Sequence, residues 1–142
     1  MNTPAFEIRP CTNVLGAEIL GIDLSKPLSS ETVDLLRKTL FDSGVIFFRD
    51  QDLTPEQHIA FAQRFGEIDI NRFFTPVEGY PCIAEVRKDP DQVSNIGGGW
   101  HTDHSYDLAP ALGSILYARE LPPCGGDTLY ASMYAAYDGL SD

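Results

Sequence analysis

The stretch GGGWHTDHSYD, Gly97 to Asp107, sets three glycines and the chain's one tryptophan ahead of two of its three histidines, which bracket an aspartate. If Gly99–Asp103 is extended, alternation puts His101 and Asp103 on one face of the strand and Thr102 on the other. An imidazole and a carboxylate so placed can converge on one ion. With a second, distant imidazole they make the facial triad that holds ferrous iron and leaves coordination sites open for oxygen chemistry. The glycines let the backbone approach a ligand closely, and Trp100 is expected to wall the site against water.

The same residues admit blander readings. His101 and Asp103 can simply bond to each other in a loop, since His-x-Asp arises by chance in many chains. His104 faces away from Asp103 if the strand continues, which suits a packed or solvated histidine. His58 lies in an expected helix and reads as a partly buried structural residue. A zinc hydrolase is a second enzymatic reading of HTDH, although zinc sites favour several closely spaced histidines and this chain has three in all. A non-catalytic binding or assembly module, with the glycine run a mere turn, is a third.

Composition narrows the field. With 142 residues, 43% of them apolar, the chain has enough material for a core. Ten basic against 21 acidic side chains give a net charge of −11, a field that repels nucleic acid and anionic membrane surfaces. No apolar run approaches the roughly 20 residues of a membrane span, and MNTPAFEIRP lacks the pattern of a secretory signal, so a cytoplasmic protein is expected. Cys11, Cys82 and Cys124 are odd in number and far apart, and are read as reduced, inert thiols.

Outward from the motif, FEIRP and GAEILGIDL read as strands, and SSETVDLLRKTLFDSG as a helix burying Val33, Leu36, Leu40 and Phe41 and stopping at Gly44. GVIFFRD reads as a buried strand. In LTPEQHIAFAQRFG, Thr54 caps a helix, Pro55 enters its first turn, Gln57 completes a capping box and Gly66 ends the pattern. Between Asn71 and Gly99 the chain is loop-rich with one strand, CIAEVRK. LGSILYARELP and GDTLYAS read as strands before a short helical tail, SMYAAYDGLSD. The order suggests an α+β fold with a mainly antiparallel β core.

GGGWHTDHSY, followed by ARELPPCGGDTLYASMYAAYDGLS, resembles the taurine dioxygenase (TauD/TfdA-like) family of iron(II)- and 2-oxoglutarate-dependent oxygenases. The resemblance runs upstream through GVIFFRDQDLTPEQHIAFAQRFGEI to LGAEILGIDLS, nearly the whole chain. It implies a double-stranded β-helix (jelly roll, cupin-like) with flanking helices, and hydroxylation of a small organic substrate by dioxygen with release of succinate and CO2. By position, His101 and Asp103 match two iron ligands, Thr128 matches the hydroxyl that helps to bind 2-oxoglutarate, and Asn71, Phe74, His104 and Tyr106 match substrate-pocket positions. Taurine-specific members carry histidine and tyrosine where this chain has Asn71 and Phe74, a departure that removes groups suited to a sulfonate and leaves the substrate open. The family's third ligand, a histidine, and its 2-oxoglutarate-binding arginine come after GGDTLY, beyond Asp142. The expectation is therefore one domain over residues 1–142, the N-terminal part of a dioxygenase domain with its jelly roll incomplete and inactive by itself. A homo-oligomer is the one macromolecular assembly left open.

Overall fold

The computed structural model describes residues 6–103 and 105–140. Contacts divide the chain into two compact units, Met1–Leu53 with Ala118–Asp142, and Thr54–Tyr117.

The first unit opens with β1 (Glu7–Pro10) and β2 (Ala17–Leu20), continues through α1 (Ser30–Ser43), and reaches β3 (Ile46–Phe48). The sheet order is β1-β2-β3, with β1 antiparallel and β3 parallel to the central β2. A parallel neighbour requires a crossover, and α1 supplies it, packing on β2 and β3. Alternation along β2 is strict: Ala17 and Ile19 are buried, Glu18 and Leu20 less so. Arg9 and Arg49 flank the Glu18 carboxylate on the other face, at 3.5 and 3.3 Å.

Ser29 caps α1 by accepting from the Thr32 backbone N–H, and Gly44 ends it at φ 71, its own N–H bonding to the Leu40 carbonyl at 2.7 Å. Val33 and Leu36 are buried as expected, but Phe41 is 59% exposed and Thr39 is buried instead. At about 100° per residue, Thr39, Leu36, Leu40 and Val33 fall in one arc, while Phe41 lies about 80° beyond Val33. Thr39 satisfies its hydroxyl by donating to the Leu35 carbonyl at 2.8 Å. β3 is half-buried rather than fully buried. After it, Gln51 accepts from the Leu24 N–H (2.8 Å) and donates to the Ile22 carbonyl (3.1 Å), tying the loop after β2 to the end of β3.

The second unit starts at α2 (Pro55–Gln63), whose reciprocal capping box is formed as read: Gln57 N–H donates to Thr54 Oγ1 at 3.3 Å and Thr54 N–H to Gln57 Oε1 at 2.8 Å. The helix caps at Arg64, two residues short of Gly66. Phe61 is its buried anchor and meets Phe65 edge-on at 5.2 Å. β4 (Pro76–Val77) and β5 (Tyr80–Ala84) form a hairpin in which Gly79, at φ 80, takes the left-handed turn position. The strand expected at Cys82–Lys88 thus begins and ends earlier.

In the first unit, α3 (Met133–Asp138) confirms the helical tail, capped by Ser132. The strands expected in LGSILYARELP and GDTLYAS are absent: residues 112–131 carry no strand among the described residues. A strand is defined by the neighbour it bonds to, and no described neighbour is paired with these segments.

Candidate functional site

The glycine run leads into the His-x-Asp pair without a strand; residues 99–103 are irregular. The two side chains nevertheless come together, with His101 Nε2 3.3 Å from Asp103 Oδ1. His101 Nδ1 lies 2.8 Å from the Gly99 carbonyl oxygen. A carbonyl oxygen can only accept, so Nδ1 carries a proton, and Nε2 is the nitrogen that presents a lone pair whenever the ring is neutral. In that form Nε2 and the carboxylate oxygen are two acceptors 3.3 Å apart, a separation that calls for a proton or a cation between them.

Gly97 makes this possible. At φ 67 it adopts a conformation that side chains disfavour, and a Cβ there would stand 3.2 Å from His101 Cε1. Gly99, by contrast, would meet nothing within 4 Å. Of the glycine run, Gly97 therefore serves the backbone's approach to the imidazole. Thr102 Oγ1 and Ser105 Oγ bond at 2.7 Å and close the turn that follows. Trp100 does not wall the pair: its side chain points to solvent, 73% exposed, because no described element of this unit covers it.

Asn71 and Phe74 are both half-buried. Asn71 Oδ1 accepts from the Phe73 N–H at 2.8 Å, an Asx turn that fixes the loop and leaves the side-chain amide N–H groups as donors. Tyr106 is exposed. His104 lies outside the described residues. Arg72 Nη2 reaches Asp107 Oδ1 at 3.2 Å, so the segment around Asn71 and Phe74 is bonded to the segment around Tyr106. Sequence reading missed this pair; both charges were visible, but no local pattern connects positions 35 apart.

His58 behaves as a structural histidine: half-buried, its Nε2 lies 3.2 Å from the Ile115 carbonyl and its ring meets Tyr117 edge-on at 6.0 Å. Thr128 belongs to the other unit and is exposed in an irregular segment. Among the described residues no third His, Cys, Asp or Glu gathers with His101 and Asp103 into a metal-holding cluster. Cys11, Cys82 and Cys124 are unpaired thiols. No described helix is long and apolar enough to cross a membrane.

The donor set fits a divalent ion. Imidazole nitrogen and carboxylate oxygen bind such ions at about 2.1 Å, so two donors at right angles on one ion stand about 3 Å apart, close to the separation seen. The Nδ1–H to backbone carbonyl bond is also the usual support of a metal-binding histidine, because it fixes the ring and its tautomer.

A family model described as taurine catabolism dioxygenase TauD, TfdA family, matches residues 7–142. The (S)-phenoxypropionate/alpha-ketoglutarate-dioxygenase of Sphingobium herbicidovorans is 34% identical over 143 residues, covering 99% of this chain and 50% of the relative. The alpha-ketoglutarate-dependent 2,4-dichlorophenoxyacetate dioxygenase of Cupriavidus pinatubonensis is 32% identical, over 92% of this chain and 51% of its own length. The chain thus spans about half the length of these relatives. A taurine dioxygenase from Burkholderia xenovorans of known structure is 39% identical with a TM-score of 0.52, over 55% of this chain and 28% of that one. These likenesses imply a cupin-like fold, of which the described residues display only two small sheets. The chain belongs to the taurine catabolism dioxygenase TauD, TfdA family.

Proposed function

We propose that this chain carries the iron-binding and substrate-facing half of an iron(II)- and 2-oxoglutarate-dependent dioxygenase. The observation that carries the reading is the His101–Asp103 pair, with Nε2 3.3 Å from Oδ1 and Nδ1 bonded to the Gly99 carbonyl. His101 Nε2 and Asp103 Oδ1 would be two iron ligands. When bound, iron and 2-oxoglutarate together supply the oxidising power that inserts an oxygen atom of O2 into a C–H bond, with succinate and CO2 released.

The remaining roles belong to the protein's own groups. The Gly99 carbonyl keeps a proton on Nδ1, so that Nε2 is the ring nitrogen left to face a metal. Thr128 Oγ1 would donate to a carboxylate of 2-oxoglutarate. Asn71 would offer its amide N–H groups, and Phe74, His104 and Tyr106 their rings, to a small organic substrate. The complete double-stranded β-helix would form around this site, with the segments after Gly99 contributing strands. The named relatives act on aryloxyalkanoates, and others in the family on sulfonates and sulfate esters; substrates of these classes are the ones to try, aryloxyalkanoates first because Asn71 and Phe74 lack groups suited to a sulfonate.

The test is a chimera in which residues 7–142 replace the matching half of the S. herbicidovorans relative. Succinate release should depend on ferrous iron and on one of those substrate classes, and should vanish with Asp103→Ala. A folded chimera that binds 2-oxoglutarate and releases succinate equally well after that substitution would overturn the assignment of Asp103.

A further inference from the structure

The Arg72–Asp107 pair is long-range and joins two loops, yet a pair this exposed adds little to global stability: the Arg72 side chain is 70% exposed and that of Asp107 23%. Its consequence must lie in where the loops stand. On one side, the Asx turn at Asn71 leaves Arg72 at the apex of a fixed bend, with its guanidinium 5.9 Å over the Phe73 ring. On the other, Asp107 stands four residues after Asp103, in a segment where the Thr102 and Ser105 hydroxyls bond at 2.7 Å.

We infer that Arg72 and Asp107 are positioning residues: their ion pair clamps the Asn71–Phe74 loop to the loop that carries His101 and Asp103, and so sets the gap in which substrate is held. The inference rests on the proposed function for what that gap holds, but the clamp itself is a property of the two loops. A guanidinium suits the task because its planar donors fix direction as well as distance, which an ammonium does not. The reciprocal prediction is specific. Neutralising either partner releases both loops, and exchanging the two charges restores them.

Backbone order parameters from NMR relaxation read this directly in the chimera that joins residues 7–142 to the matching half of the S. herbicidovorans relative. Arg72→Gln should lower the order of residues 105–107, Asp107→Asn that of residues 71–74, and the exchange Arg72→Asp with Asp107→Arg should recover both. Loss confined in each single variant to the substituted loop, or no recovery on exchange, would overturn the clamp. Added Mn(II) separates this from the metal assignment. Broadening of resonances at 101–103 tests His101 and Asp103, and its absence in the unsubstituted chimera would remove the metal reading while the order parameters still decide the clamp.

Discussion

His101 faces Asp103 across 3.3 Å with its other ring nitrogen already bonded to Gly99, so the two residues share one position that neither can fill alone. On the proposed function a divalent cation fills it. Replacing either with alanine should abolish the Mn(II) binding of the pair, measured by titration against free Mn(II) signal, since one exposed side chain does not hold an ion. Asp103→Asn keeps the shape and removes the charge, and should weaken binding at least tenfold.

Gly97 is required for this geometry and Gly99 is not. Gly97→Ala combines a left-handed φ of 67 with a Cβ contact of 3.2 Å to the imidazole. Strain of about 1–2 kcal/mol is expected from the backbone alone. Mn(II) affinity should fall for Gly97→Ala, while Gly99→Ala leaves it within about twofold.

Tyr80 donates its hydroxyl to Glu56, joining β5 to the first turn of α2. That bond, ahead of backbone and Thr54 contributions, holds the Glu56 carboxyl below its ordinary 4.5, and in return raises the Tyr80 phenol above 10.0. The Glu56 contribution is present above pH 4.5 and is lost as pH falls through its lowered value; the Tyr80 contribution is present below pH 10.0 and is lost as pH rises through its raised value. Tyr80→Phe should therefore flatten both limbs of the unfolding midpoint plotted against pH. Parallel curves for the two proteins would count against the coupling.

The capping box of α2 was legible because every participant lies within four residues of Thr54, and hydrogen bonds of that range follow from sequence alone. Thr54→Ala should cost about 1 kcal/mol in chemical unfolding. The His101–Asp103 pairing was legible for a related reason, since two residues apart they meet whether the backbone is a regular strand or an irregular turn. Other features were not local. Burial of Thr39 in place of Phe41 depends on which arc of α1 the sheet covers, and Arg72 finds Asp107 only once the chain has folded back. The strands read into residues 112–131 failed for the same cause: apolar alternation marks a segment able to pair, and pairing needs a partner strand that the described residues do not present.

That segment yields the last prediction. Leu108, Leu112, Ile115 and Leu116 are exposed, and so, in the other unit, are Leu121, Leu129 and Tyr130. Each exposed leucine forgoes about 1.5–3 kcal/mol of burial, and apolar segments outside any ladder invite edge pairing with another chain. The 142 residues by themselves should therefore bind a hydrophobic dye such as ANS strongly and self-associate as concentration rises, with little β signal in far-UV circular dichroism. Joined to the matching half of the S. herbicidovorans relative, the same residues should lose most of the dye fluorescence and gain β signal, because strands at 112–117 and 127–131 would then have neighbours. Ferrous iron and 2-oxoglutarate, added without oxygen, should give the weak visible band of their chelate in the joined protein and not in the 142 residues, which offer His101 and Asp103 but, among the described residues, no third ligand. Dye binding unchanged by joining, in a protein that is monomeric and folded, would show that residues 107–131 remain outside the β core and that the cupin-like fold is completed without them.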